Sequence, residues 1–402
     1  MLSQRYVGSQ TKVKKSKLIY LFAVLLALGI IVPQVQAAQS VSQTLPSSGT
    51  IMQVNATSAG LNYDSLYHAY STSDAILNRD FSQFKHDGIS VISLSMYWYR
   101  LEGNIQGDYG GNGSGAQPYG DAFLANIKHV ITVANQYGLK VLLTFHTLWG
   151  TDSNWCTPTY VVDPISGTND GLAIVRNDTM RQAFIDMFNH TVNYLAGTPG
   201  IWAWAVLNEP WYWGRTANEH DFITSNGQTQ KENFITLIQQ LSTIVKTNDG
   251  RPTTVRFCDT STYTSNGVNY IKNIFQQDWG MDPRIFSSLS FISFNPYLPT
   301  DPSLVNSWEN MNTVNVQGTV NQGDKVWITE FGINSDSDSV QSAGIVTSVA
   351  FFKTLPVEGW ISWCWEGDCP LSGGNPDNYG QAFNLCASAD GQPRPAYYNI
   401  LS

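Results

Sequence analysis

The chain has 402 residues, 42% hydrophobic and 12% aromatic, enough apolar material for a large buried core and too much for a disordered protein. Its 22 basic residues stand against 31 acidic ones, a formal net charge of −9. A surface of that sign repels phosphate backbones and argues against a nucleic-acid partner.

At the N-terminus, Arg5, Lys12, Lys14, Lys15 and Lys17 precede an apolar run over residues 18–32, and Val35-Gln36-Ala37 is a small-x-small cleavage pattern. Residues 1–37 are therefore expected to be a signal peptide, and the mature protein secreted and extracellular. The apolar run is short for a bilayer span of roughly 20 residues. Left uncleaved it would still make an anchor, and only then would the protein be membrane-bound, on the extracytoplasmic side. Residues 38–50, AQSVSQTLPSSGT, read as a polar linker.

Beyond the linker, strand and helix patterns alternate. Strands are expected over 51–62, 89–96, 139–145, 201–207, 253–258, 289–295, 326–330 and 359–365. Helices are expected over 74–87, 120–137, 179–195, 229–247, 268–277, 303–321 and 339–353, with a short one over 395–401. Gly88 and Gly138 follow two of these helices, and Gly359 opens the last strand. Eight such repeats predict one catalytic domain over 51–402, of α/β class, with the closed parallel (β/α)8 TIM barrel that typically needs about 250 residues plus loop insertions.

Cys156, Cys258, Cys364, Cys369 and Cys386 are an odd number, and the closeness of the last three predicts a loop-stapling disulfide among them. No cysteine pair has metal-site spacing and the six histidines are scattered without an H-x-x-x-H arrangement, so the sequence offers no support for metal chemistry. Asn55, Asn112, Asn177 and Asn189 each open an N-x-S/T triplet.

In such a barrel the residues that end the strands face the active-site mouth. The third expected strand ends Thr144-Phe145-His146, the fourth Leu207-Asn208-Glu209, the sixth Phe294-Asn295-Pro296-Tyr297, the seventh Thr329-Glu330-Phe331, and the eighth Ser362-Trp363-Cys364-Trp365. Only the fourth and seventh end in glutamate. Cleaving an acetal needs one group to protonate the leaving oxygen and another to trap or stabilise the anomeric carbon, so Glu209 and Glu330 are the candidate catalytic pair. Trp149, Trp155, Trp211, Trp213 and Trp365 lie just beyond strand ends, where indole rings stack on the C–H faces of sugars. Trp149, three residues after His146, and Trp211, two after Glu209, are the foremost of these.

The segments LNEP and WITEFG resemble the acid/base and nucleophile motifs of clan A glycoside hydrolases, most like family 5, the cellulase and endo-mannanase group. The resemblance implies a cofactor-free double displacement on a (β/α)8 barrel. It implies that Glu209 is the acid/base, Glu330 the nucleophile and Asn208 the partner of the sugar 2-hydroxyl. By the same resemblance Tyr297 orients the nucleophile, His146 lines the −1 subsite and Trp363 is the platform beneath that sugar. Two positions depart from the family pattern. Its second-strand arginine falls on Ser93, leaving Arg100, seven residues on, as the arginine offered to the nucleophile; the plainer reading of Arg100 is a loop ion pair with Glu102. Its H-x-Y on the sixth strand is here Asn295-Pro296-Tyr297, which brings Asn295 into the substrate-binding set. The implied function is a retaining β-glycoside hydrolase, endo-acting on a β-1,4-linked polysaccharide, glucan or mannan, with a polysaccharide or oligosaccharide as its substrate. An exo-acting β-glycosidase or transglycosylase of the clan, and a non-catalytic carbohydrate-binding protein on the same barrel, are the other readings.

Overall fold

Apolar runs separated by glycine turns become the strands of a closed parallel barrel: β1 (Thr50–Gln53), β2 (Val91–Tyr97), β3 (Lys140–His146), β4 (Ile201–Asn208), β5 (Thr253–Cys258), β8 (Ile292–Asn295), β9 (Val326–Phe331) and β10 (Trp360–Ser362). The ring order is β1-β10-β9-β8-β5-β4-β3-β2, which closes because β1 pairs with both β10 and β2. The computed structural model describes residues 50–53, 74–110, 120–146, 157–210, 227–258, 260–265, 267–280, 282–335, 337–363, 365, 385 and 392–400. The expected signal peptide, the linker up to residue 49, the cysteines Cys156, Cys364, Cys369 and Cys386, and the triplets at Asn55 and Asn112 lie outside them.

Parallel barrel strands are covered on both faces, and β2, β4, β5 and β9 are accordingly buried along their whole length. One set of side chains turns outward under the helices. The other meets inside the ring, where Val91, Leu142, Trp202, Ala203, Ala205, Phe291, Trp327 and Ile361 pack together. Trp202 of β4 and Trp327 of β9 have ring centroids 4.8 Å apart although β5 and β8 stand between them in the ring, so the two indoles meet across the barrel. They form a floor, and the strand ends above it are left for polar groups.

The outer layer contains α1 (Asp74–Asp87), α3 (Asp121–Gln136), α5 (Asp178–Leu195), α6 (Gln230–Asn248), α8 (Val305–Val320), α9 (Asp338–Phe352) and α10 (Pro395–Ile400), each within two residues of its expected span. Short helices α2 (Trp98–Glu102), α4 (Ala173–Arg176) and α7 (Pro283–Phe286) were not legible as periodic segments because each is about one turn long. Helix α5 buries Phe184, Met187, Phe188 and Val192 at helical spacing and starts on a side-chain cap. The Asn177 side-chain oxygen accepts from the backbone N–H groups of Thr179 and Met180 at 2.9 and 3.4 Å. Replacing this cap, Asn177→Ala, is expected to cost about 1 kcal/mol in urea denaturation with an unchanged m-value; an unaltered midpoint would show that the cap contributes nothing.

The helix expected over 268–277 is not formed. Residues 260–273 instead make an antiparallel hairpin of β6 (Thr260–Ser265) and β7 (Val268–Asn273), which pairs Tyr263 with Tyr270 and Thr262 with Ile271. The cause is local. Thr260-Ser261-Thr262-Tyr263-Thr264 is strand-forming, and the connection Asn266-Gly267, with Gly267 at φ 75°, suits a tight hairpin turn. Helical backbone is confined to a π-turn at Phe275–Trp279 and to α7. The first strand occupies the start of its expected span, at Thr50–Gln53. Among the described residues no helix is long and apolar enough to cross a membrane.

Candidate active site

The exit of β4 is irregular. Its pairing with β5 shifts register between Ala205 and Asn208, which sets Asn208 opposite Arg256. The Glu209 N–H then donates to the Arg256 carbonyl at 2.7 Å. Glu209 has φ 44°, the one positive value at a non-glycine among the described residues. Backbone of that kind costs on the order of 1–3 kcal/mol and persists only where its surroundings hold it. Here the fixed backbone bond, and a bond of 2.8 Å from the Asn295 Nδ2 to the Glu209 Oε1, hold the carboxylate over the barrel mouth.

Glu330, on β9, meets it there. The same Asn295 Nδ2 donates to the Glu330 Oε2 at 3.3 Å, so two carboxylate oxygens share one amide nitrogen. Oxygens bonded to a common donor at 2.8 and 3.3 Å lie no more than about 6 Å apart, so the two carboxylates meet at one point of the barrel mouth. Thr329 fixes which way the amide faces, its hydroxyl bonding the Asn295 Oδ1 at 3.0 Å and leaving the NH2 for the acids.

Two further donors reach Glu330: the Tyr297 hydroxyl bonds Oε1 and the Arg256 Nη2 bonds Oε2. Arg256 is fully buried, its Nη2 also reaching the Thr329 carbonyl at 2.9 Å and its Nη1 the Thr144 hydroxyl at 3.3 Å. Ser93 in turn lies 3.0 Å from that hydroxyl. Burial pushes the Glu330 carboxyl above the usual glutamate value, while Arg256 and Tyr297 pull it back down. Burial, with the charges of Glu330 and Glu209, raises the Tyr297 phenol well above its usual value and keeps it a donor. Burial, with the neighbouring Arg256, drops His146 well below the usual histidine value, so its ring is neutral.

An aromatic wall completes the mouth. The His146 ring lies 5.3 Å from Tyr97 at the end of β2 and 6.5 Å from Trp363, which follows β10. Beside it Asn208 is fully buried, and neither its Oδ1 nor its Nδ2 has a protein partner. Burying an amide unpaired costs about 1–3 kcal/mol, and both polar ends of this side chain are left able to bond.

Glu209, Glu330, Asn295 and Tyr297 thus form one bonded cluster, with His146 and Trp363 in the wall and Asn208 beside it. Arg100 lies in α2, with its guanidinium carbon 5.9 Å from the Tyr99 ring centroid; the guanidinium bonded to Glu330 is that of Arg256. Glu102 is buried and takes neutral donors, the Trp98 indole, the Tyr160 hydroxyl and the Gly107 N–H, rather than pairing as a surface ion. Trp365 is no rim ring: it is buried against Phe84 and Tyr397 at 4.9 and 5.2 Å. Trp149, Trp155, Trp211 and Trp213 lie outside the described residues. Arg256 and Tyr97 escaped the sequence reading. The signal for Arg256 was a lone charge within the apolar run Thr253-Thr254-Val255-Arg256-Phe257-Cys258, since a buried charge must find a partner.

Acid–base cleavage of an acetal asks for two carboxylates in reach of one sugar ring, and on this barrel that defines the class of O-glycosyl hydrolases. The chain belongs to glycosyl hydrolase family 5, whose model, described as Cellulase (glycosyl hydrolase family 5), matches residues 50–368. The chain is 21% identical over 368 residues, 87% of its own length and 88% of the other's, to the Aspergillus oryzae protein named "Probable mannan endo-1,4-beta-mannosidase A". Among solved structures it is similar to the endo-β-1,4-mannanase of Thermotoga petrophila, with TM-score 0.61 and 14% identity over 88% of this chain and 76% of that one. A variant of GH5_18 from Bifidobacterium longum subsp. longum in complex with Manb1-4GlcNAc gives TM-score 0.59 and 12% identity over 88% and 77%. A β-glucosidase, 1317, gives 0.57 and 14% over 83% and 88%. At these identities the solved structures share the fold.

Proposed function

We propose that the protein is a retaining β-glycoside hydrolase, endo-acting on β-1,4-linked polysaccharide, with mannan favoured over glucan. The observation that carries this reading is the single Asn295 amide bonded to both Glu209 and Glu330, which suits the close carboxyl pair of a double displacement. Glu330 attacks the anomeric carbon as the glycosidic C–O bond breaks, and the proton of Glu209 passes to the leaving oxygen. Water then attacks the glycosyl ester, Glu209 takes its proton, and Glu330 leaves as a carboxylate. Asn208, with its unpartnered amide, bonds the sugar 2-hydroxyl. Neutral His146 and Trp363 line the −1 sugar, and Tyr297 orients the nucleophile. The amide of Asn295 does not titrate, so it serves both steps unchanged.

Mannan is favoured because the Aspergillus oryzae and Thermotoga petrophila proteins are named for it. The likeness to a β-glucosidase supports exo action as the second reading. A polysaccharide is met outside the cell, in keeping with residues 1–37 as an export signal. Incubated with β-1,4-mannan, glucomannan and cellulose, the purified enzyme is expected to release oligosaccharides of several lengths from mannan or glucomannan, with the β-anomer first in the NMR spectrum. Monosaccharide as the sole early product would select the exo reading, and an α-anomer first would remove retention.

A further inference from the structure

We propose that Arg256 is the positioning residue of the catalytic pair, holding the acid/base through its main chain and the nucleophile through its side chain, and that Thr144 and Ser93 brace it across the barrel. This rests on the reading of Glu209 and Glu330 above. The backbone carbonyl of Arg256 receives the N–H of Glu209, the residue with strained φ, at 2.7 Å. Its guanidinium bonds the Glu330 Oε2. One residue therefore anchors the backbone that carries the Glu209 side chain and the carboxylate of Glu330.

The fork is itself fixed on three sides. The Nη2 group is shared between Glu330 and the Thr329 carbonyl, and Nη1 reaches the Thr144 hydroxyl, which Ser93 bonds in turn. These bonds link β2, β3, β5 and β9 inside the ring. Strand β2 contributes only a small hydroxyl at position 93, and the positive charge comes from β5. A planar guanidinium can meet three acceptors at once with little loss of freedom, whereas an ammonium on a flexible stem cannot. The groups facing Glu330 are Arg256 from β5, Tyr297 after β8 and Glu209 after β4, the last through Asn295, with His146 of β3 beside Arg256 and neutral. Arg256 is the one cation among them, and its charge offsets the burial that favours the protonated form of Glu330.

The test uses the full chain and a soluble β-1,4-manno-oligosaccharide or cello-oligosaccharide that the wild type cleaves, with kcat/KM measured across pH. Arg256→Met is expected to lower kcat/KM by about 10²–10³-fold. It should also move the acid limb up by about one pH unit or more, because a carboxylate that loses its cation binds its proton more tightly. Arg256→Lys is expected to keep the wild-type acid limb while losing about tenfold in kcat, since the charge remains and the fork does not. A wild-type acid limb in Arg256→Met overturns the proposal, as a merely structural arginine would change the yield of folded enzyme and leave the limb in place. Should Arg256→Met fail to fold by circular dichroism, Thr144→Val decides: a lowered kcat with a raised acid limb is expected, and an unchanged profile overturns the proposal. Glu330→Gln is run alongside. If it keeps turnover, the catalytic reading has failed; if it is inactive while the arginine and threonine variants retain the wild-type profile, only the role of Arg256 falls.

Discussion

Glu330→Gln is expected to lose turnover by about 10⁴-fold or more, because a double displacement has no first step without its nucleophile. The amide keeps the shape and one acceptor oxygen, so the loss cannot be laid to a collapsed site. It does remove the charge that faces Arg256, whose guanidinium is fully buried. Breaking a buried pair from one side costs roughly 3–5 kcal/mol where no other acceptor steps in. The Thr329 carbonyl and the Thr144 hydroxyl remain, so a measurable but partial fall in melting temperature should accompany the loss of activity. Full activity in a folded Glu330→Gln enzyme would remove the residue from the chemistry.

Glu209→Ala should behave differently, and the difference identifies its role. General acid catalysis is worth about 10²–10⁴-fold and matters most when the leaving group is poor. Oligosaccharides, whose leaving groups are sugar alkoxides, are expected to lose that full factor. An aryl glycoside with a strongly acidic phenol needs no proton, so it should still form the glycosyl-enzyme quickly and then stall for want of a base, giving a burst of phenol. Azide, a nucleophile that needs no base, is expected to restore turnover and yield a β-glycosyl azide. Equal losses on both substrate types, without a burst, would count against Glu209 as the acid/base.

How much of this was legible in the chain depends on the range of the forces involved. The long helices and the buried strands are local patterns of apolar spacing, and they stand where the periodicity places them. The failure at residues 268–277 is instructive. Val268 to Ile271 carry enough apolar spacing to resemble one helical face, but pairing with Thr262 and Tyr263 is decided across a turn, and the strand-forming partner wins. Glu209 and Glu330 stood out as candidates because two apolar strands both run out into a glutamate, and the structure brings the two side chains to one asparagine. Arg256 was not, for it is embedded in β5 among apolar residues, and its meaning depends on Glu330, 74 positions away. The bridging of both acids by Asn295 is likewise a property of three strands brought together, with no trace in any one of them. Trp365 shows the converse error: proximity to a strand end does not say which way a ring turns, and this one turns into the core under α1 and α10.

The central claim, that Glu330 forms a covalent bond to sugar at a centre it shares with Glu209, is tested most directly by trapping that bond. A 2-deoxy-2-fluoro-β-glycosyl fluoride of the accepted sugar slows both steps and lets the ester accumulate. Proteolysis and mass spectrometry are then predicted to find a single glycosyl adduct on Glu330, within Trp327-Ile328-Thr329-Glu330-Phe331. An adduct on Glu209 or another residue, or an enzyme that turns the natural substrate over and is never labelled, would contradict the account.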